Sequence, residues 1–64
     1  MPNSREIIRR LEAAGWRLVR VKGDHHQFKH PDVAQLVTVM HPKRDIAIGT
    51  LMDIERKSGV KMRD

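Results

Sequence analysis

Cysteine is absent from the 64 residues, which removes disulfides and thiolate metal sites as staples for so small a chain. That absence fits a reducing cytoplasm. Aromatic rings are scarce too: one Trp, one Phe and no Tyr. Phe28 reads as core and Trp16 as packing under a sheet, so neither is assigned to stacking on a base. No apolar run approaches the roughly 20 residues that cross a membrane, and the N-terminus lacks a signal-peptide apolar region. A phosphate-cradling P-loop and a dinucleotide fingerprint are missing as well. The expectation is a soluble cytoplasmic protein with no membrane partner and no cofactor.

What the chain does have is positive charge. Thirteen Lys and Arg stand against eight Asp and Glu, a net of +5. Spread over one small domain, residues 1–64, that field favours nucleic acid, an acidic protein or anionic lipid. A domain near this size buries only about 60% of its unfolded surface, so its margin of stability is thin.

Asn3-Ser4-Arg5-Glu6 has the form of a capping box, and Ile7, Ile8, Leu11 and Ala14 follow at helical spacing. A first amphipathic helix is predicted over residues 4–14, ended by Gly15. Trp16 to Lys22 is rich in β-formers and reads as a first strand, with Gly23-Asp24 as a turn into a second, His25 to Lys29. Pro31 to Gln35 reads as a turn region and Leu36 to Met40 as a third strand. His41-Pro42-Lys43-Arg44 is a basic loop. Asp45 is a plausible N-cap for a second helix running to Ser58, with Ala47, Ile48, Leu51, Met52 and Ile54 as its buried stripe. Gly49 inside that helix implies close backbone packing. Gly59 stops it, and Val60 to Asp64 reads as a frayed basic tail.

The predicted order is α-β-β-β-α. Two amphipathic helices and a three-stranded antiparallel sheet bury their apolar surfaces most simply with both helices on one sheet face. The fold class is therefore α+β, like a double-stranded-RNA-binding domain, with the second sheet face left for solvent or ligand.

Three of the four histidines lie in Gly23 to His30. Strand alternation places Phe28 inside with His26 and His30 on its side, and His25, Gln27 and Lys29 on the open face. There His25 can move a proton, Gln27 can hydrogen-bond a base or ribose, and Lys29 can neutralise phosphate. Arg20 and Lys22 on the neighbouring strand add charge. The opposing readings are an exposed His25 without a role, a His26 packed beside Phe28, and a His30 that shapes the turn before Pro31. Zinc ligation by His25, His26, His30 and His41 is disfavoured, because adjacent strand residues point apart and no thiolate is available. Ser4 and Ser58 lie on or near helices, and a Ser/His/Asp triad has little support.

Gly15-Trp16, Arg20, Gly23-Asp24-His25-His26-x-Phe28, Val37-Thr38-Val39-x-His41-Pro42 and Gly49-Thr50-Leu51 together resemble the HicA toxins, in order and spacing, over nearly the whole chain. The resemblance implies a toxin–antitoxin component of double-stranded-RNA-binding-like fold. Its implied activity is that of an mRNA interferase, a metal-independent endoribonuclease masked by a cognate HicB-type antitoxin and monomeric when free. It also implies that His25 is the catalytic histidine and Gly23 the functionally sensitive turn glycine. Two departures stand out. Asp24 occupies a position where the family usually has Ser or Thr, so a carboxylate could orient the His25 ring or repel a phosphate. Met40 and Ala47-Ile48 lack prolines often found at those points.

On this reading, single-stranded RNA lies along the open face, held by Lys22, Gln27, Lys29, Lys43 and Arg44. His25 then serves as general base toward a ribose 2′-hydroxyl or general acid toward the leaving 5′-oxygen. A non-catalytic RNA-binding module using the same basic face, and a domain whose basic face meets an acidic protein, are the competing classes.

Overall fold

A computed structural model describes residues 2–63 of the protein. Its elements run α1 (Ser4–Ala13), β1 (Arg17–Lys22), β2 (His25–His30), β3 (Val33–Met40) and α2 (Ile48–Ser58). The predicted α-β-β-β-α order and antiparallel sheet, in spatial order β1-β2-β3, are present. Both helices pack against β3, leaving the opposite sheet face uncovered.

Helix α1 starts where Asn3 accepts the Glu6 N–H through its side chain at 2.9 Å, satisfying one of the orphan donors of the first turn. Glu6 does not complete the reciprocal half of a capping box. Its carboxylate turns to Arg9 and Arg10, 2.7 and 2.9 Å away, one turn further on. Those guanidiniums, Arg9 first, hold the Glu6 carboxyl below its ordinary range. Gly15 follows the C-cap at φ +97°, where a side chain would be strained, and an added Cβ would lie 3.1 Å from His30 Nε2. The chain then reverses, and Trp16 is buried before β1 begins.

The core joins Ile7 and Leu11 of α1, Phe28, Val37 and Val39 of the sheet, and Leu51 and Ile54 of α2. Connecting segments add Trp16, Ile46 and Met62. Several expectations fail at its C-terminal side. Helix α2 begins at Ile48 with Ala47 as a cap that makes no side-chain bond, not at Asp45. Ile46 is buried instead, and its N–H donates to Pro2 O at 3.2 Å, so the segment before α2 is held against the N-terminal end of the chain rather than wound into the helix. With the helix shifted, only Leu51 and Ile54 of the predicted stripe are buried, while Ala47, Ile48 and Met52 are exposed. Gly49 meets nothing within 4 Å, so close backbone packing does not explain it.

The turn expected over residues 31–35 is confined to Pro31 and Asp32, because β3 already pairs at Val33 with His30. Gly59 ends α2 at φ +72°, as expected. The segment after it is not frayed as far as Arg63: Met62 is in the core, and its N–H donates to Glu55 Oε2 at 2.8 Å. Asp64, the last residue of that expected tail, lies outside the described residues.

Candidate nucleic-acid interface

The hairpin between β1 and β2 turns on Gly23, whose φ of +59° suits the first central position of a two-residue turn. Space is not the constraint there, since nothing lies within 4 Å of an added Cβ. The turn is also tied to β3, because the His41 N–H donates to Asp24 O at 2.8 Å. His25 is thus the first residue of β2, fixed by a hairpin on one side and a ladder on the other.

Register then distributes the side chains. Phe28, paired with Leu18 and Val37, is buried. His26, paired with Val21 and Val39, shares that side and is half-buried. Its ring meets His41 edge-on at 5.0 Å. The other parity sets His25, Gln27 and Lys29 on the open face, as alternation implies. Across the strands, Lys22 pairs with His25, and Arg20, Gln27 and Thr38 form a row. Arg20, Lys22, Gly23, Asp24, His25, Gln27 and Thr38 together line one open depression of about 560 Å³.

Within it, Asp24 Oδ1 lies 3.2 Å from His25 Nδ1, with the two side chains 54% and 57% exposed. This contact leaves Nε2 of His25 for any proton transfer. The remaining histidines have structural partners. Asp32 N–H donates to His30 Nδ1 at 3.0 Å, which assigns the ring proton to Nε2, 3.1 Å from Ala14 O. That ring also packs against Trp16, with centroids 5.3 Å apart, so His30 does shape the turn. His41 Nδ1 lies 2.7 Å from Ser4 Oγ. Among the described residues, no three His, Asp or Glu side chains gather as metal ligands.

Charge is segregated between the layers. Most helix acids are already neutralised: Glu6 by Arg9 and Arg10, Asp53 by Arg56 and Lys57, and Glu55 by Arg63. Glu12 has no ion pair among the described residues. On the sheet, Arg17, Arg20, Lys22 and Lys29 enter no ion pair among the described residues. The one acid in the depression is Asp24. Such an excess of cations on one sheet face creates a positive field that attracts anions.

Not every predicted contact residue lies in this depression. Lys29 sits on the same face but further along β2. Lys43 and Arg44 line a separate groove with Asn3, Ser4, Arg5 and His41 at the start of α1. Two residues escape a reading of the sequence. Thr38 lies on the open face between buried Val37 and Val39, which alternation along β3 could have shown. Arg17 faces Lys29 only because of an irregularity between Leu18 and Arg20 that no local pattern announces.

Among the described residues no helix is long and apolar enough to cross a membrane. The family described as HicA toxin of bacterial toxin–antitoxin matches residues 4–60. A solved structure, the HicA3 and HicB3 toxin–antitoxin complex, contains a chain of the same fold with a TM-score of 0.84. It is 32% identical, and the match covers 95% of this chain and 98% of that one. Among curated protein sequences none matches. With the family pattern spanning nearly the whole fold, the chain belongs to the HicA toxins of bacterial toxin–antitoxin systems.

Proposed function

We propose that the protein is a toxin that cleaves messenger RNA in the cytoplasm, with His25 as its proton-transfer residue. The observation that carries this reading is the His25 ring itself. It stands in an open depression walled by Arg20 and Lys22, with Asp24 on its Nδ1. With Nδ1–H donated to Asp24, the Nε2 lone pair is free to take a proton from a ribose 2′-hydroxyl. The resulting oxygen attacks the adjacent phosphorus, a 2′,3′-cyclic phosphate forms, and the bond to the 5′-oxygen breaks. That leaving oxygen takes a proton from His25 in its protonated form or from water. Lys22 neutralises charge on the phosphate, and Gln27 and Thr38 offer hydrogen bonds to sugar or base. Gly23 supplies the turn that sets His25 at the strand start.

A single positioned acid or base contributes about 10²–10⁴-fold in rate. No second titratable side chain besides Asp24 and His25 lines the depression, apart from the cations. A slow nuclease is therefore expected. The partner is a HicB-type antitoxin, by likeness to the HicA3–HicB3 complex, and masking of the His25 face is the simplest way for it to silence the toxin.

Purified protein incubated with labelled RNA and a chelator tests the reading, with growth arrest in cells as a second measure. Wild type should shorten the RNA, and folded His25→Ala should bind it uncut. Undiminished cleavage by that variant would remove His25 from the mechanism. A wild type that only shifts RNA would establish the non-catalytic binder instead.

A further inference from the structure

Arg17 and Lys29 stand directly opposite each other on β1 and β2, on the same sheet face as His25. Both are exposed, and like charges directly opposed in a sheet repel. Glu12 and Asp32 line a hollow beside Arg17, yet neither forms an ion pair with it. The helices place an acid beside most of their cations; the sheet does not do so here. An external anion is the missing counter-charge.

Resting on the RNA-cleaving reading above, we propose that Arg17 and Lys29 form a distal phosphate subsite, with the single strand running along β1 and β2 away from His25. Lys29 is four positions beyond His25, about 13 Å at the rise of a β-strand. Neighbouring phosphates of an extended strand lie closer together than that. The subsite therefore grips a phosphate beyond the one next to the scissile bond, with Arg20 and Gln27 facing the nucleotide between. Trp16 and Phe28, the chain's Trp and Phe, are both buried, so no indole or phenyl ring lies on this face to stack a base. Strand length and charge, more than base identity, set the grip at this end.

The test uses the full chain and labelled single-stranded RNAs of two and eight nucleotides, 2′-O-methylated so that neither is cut. Affinity is measured by fluorescence anisotropy over a salt series. Wild type should bind the longer strand more tightly. The Arg17→Ala/Lys29→Ala double variant should lose most of that gain, and its slope of log K on log salt should fall by about 0.7 for each phosphate it no longer neutralises. Arg17→Lys/Lys29→Arg should retain both, separating charge from any fold effect. An unchanged length gain in the alanine variant would overturn the subsite. Cleavage of the unmodified RNA by wild type is scored separately. Its absence would defeat the enzymatic reading while the affinity ratio still decides the subsite.

Discussion

His41 Nδ1 lies 2.7 Å from the Oγ of Ser4, joining the end of β3 to the first turn of α1 across 37 positions of sequence. The same Oγ accepts the Lys43 N–H at 2.8 Å, and Ser4 N–H donates to Lys43 O at 2.8 Å. Ser4 is 2% exposed, the one buried polar side chain among the described residues. His41 in turn carries the backbone bond to Asp24, so the clip reaches the His25 turn.

Ser4→Ala should therefore destabilise the fold by about 1–3 kcal/mol, the loss of two part-buried hydrogen bonds at about 0.5–1.5 kcal/mol each. In a domain of this size each kcal/mol shifts the melting temperature by about 4–8 °C. An unchanged thermal transition would show that the hydroxyl does not hold the clip.

The Asp24–His25 contact should matter less to rate than its position suggests. An exposed pair is worth about 0.2–1 kcal/mol, because water screens it. Asp24→Ala should thus slow RNA cleavage by no more than about fivefold, against about 10²–10⁴-fold for His25→Ala. Cleavage rates under single-turnover conditions decide this, and equal losses in the two variants would refute the ranking.

Met62→Ala should cost about 2–5 kcal/mol, as expected for emptying a core site. A chain of this length has about 3–10 kcal/mol in total, so the variant approaches the limit of folding. Urea denaturation measures the loss. A variant as stable as wild type would mean that Met62 leaves no cavity.

Met62 also marks where the sequence is hard to read. Helix α1, Gly15, the three strands and the inward Phe28 follow local periodicity, and so does the open-face placement of His25. Residues 41–47 and the C-terminal segment do not, because distant partners hold them: Ser4 for Lys43, Pro2 for Ile46, Glu55 for Met62 and Arg63. Asp45 has the chemistry of a cap, but Ile46 enters the core, and the helix does not start until Ile48. The basic residues Lys43 and Arg44 accordingly fall in a different groove from His25.

Acid should weaken the fold through three carboxylates. Met62 N–H, followed by Arg63, holds Glu55 below its ordinary range, as Arg9 and Arg10 do Glu6. Lys57 and Arg56 do the same for Asp53. A depressed native value means that the unfolded chain takes up protons first as pH falls. The contribution is complete above the ordinary values of 4.5 for Glu and 3.8 for Asp, and is lost as pH drops through the lowered ones. Melting temperature should thus be level with respect to these groups near neutrality and fall below about pH 5. Glu55→Gln should start lower at pH 7 and decline less steeply. An identical acid profile for that variant would contradict the role given to Glu55.

Strand β1 lies at the edge of the sheet, with Leu18, Val19 and Val21 exposed beside Arg17, Arg20 and Lys22. An open edge with apolar side chains invites pairing between copies, and positive charge on it opposes that approach. The cations proposed to grip RNA would then also keep the free toxin in solution. Long RNA added to charge balance should remove the repulsion, and turbidity should peak at that ratio and clear when either component is in excess.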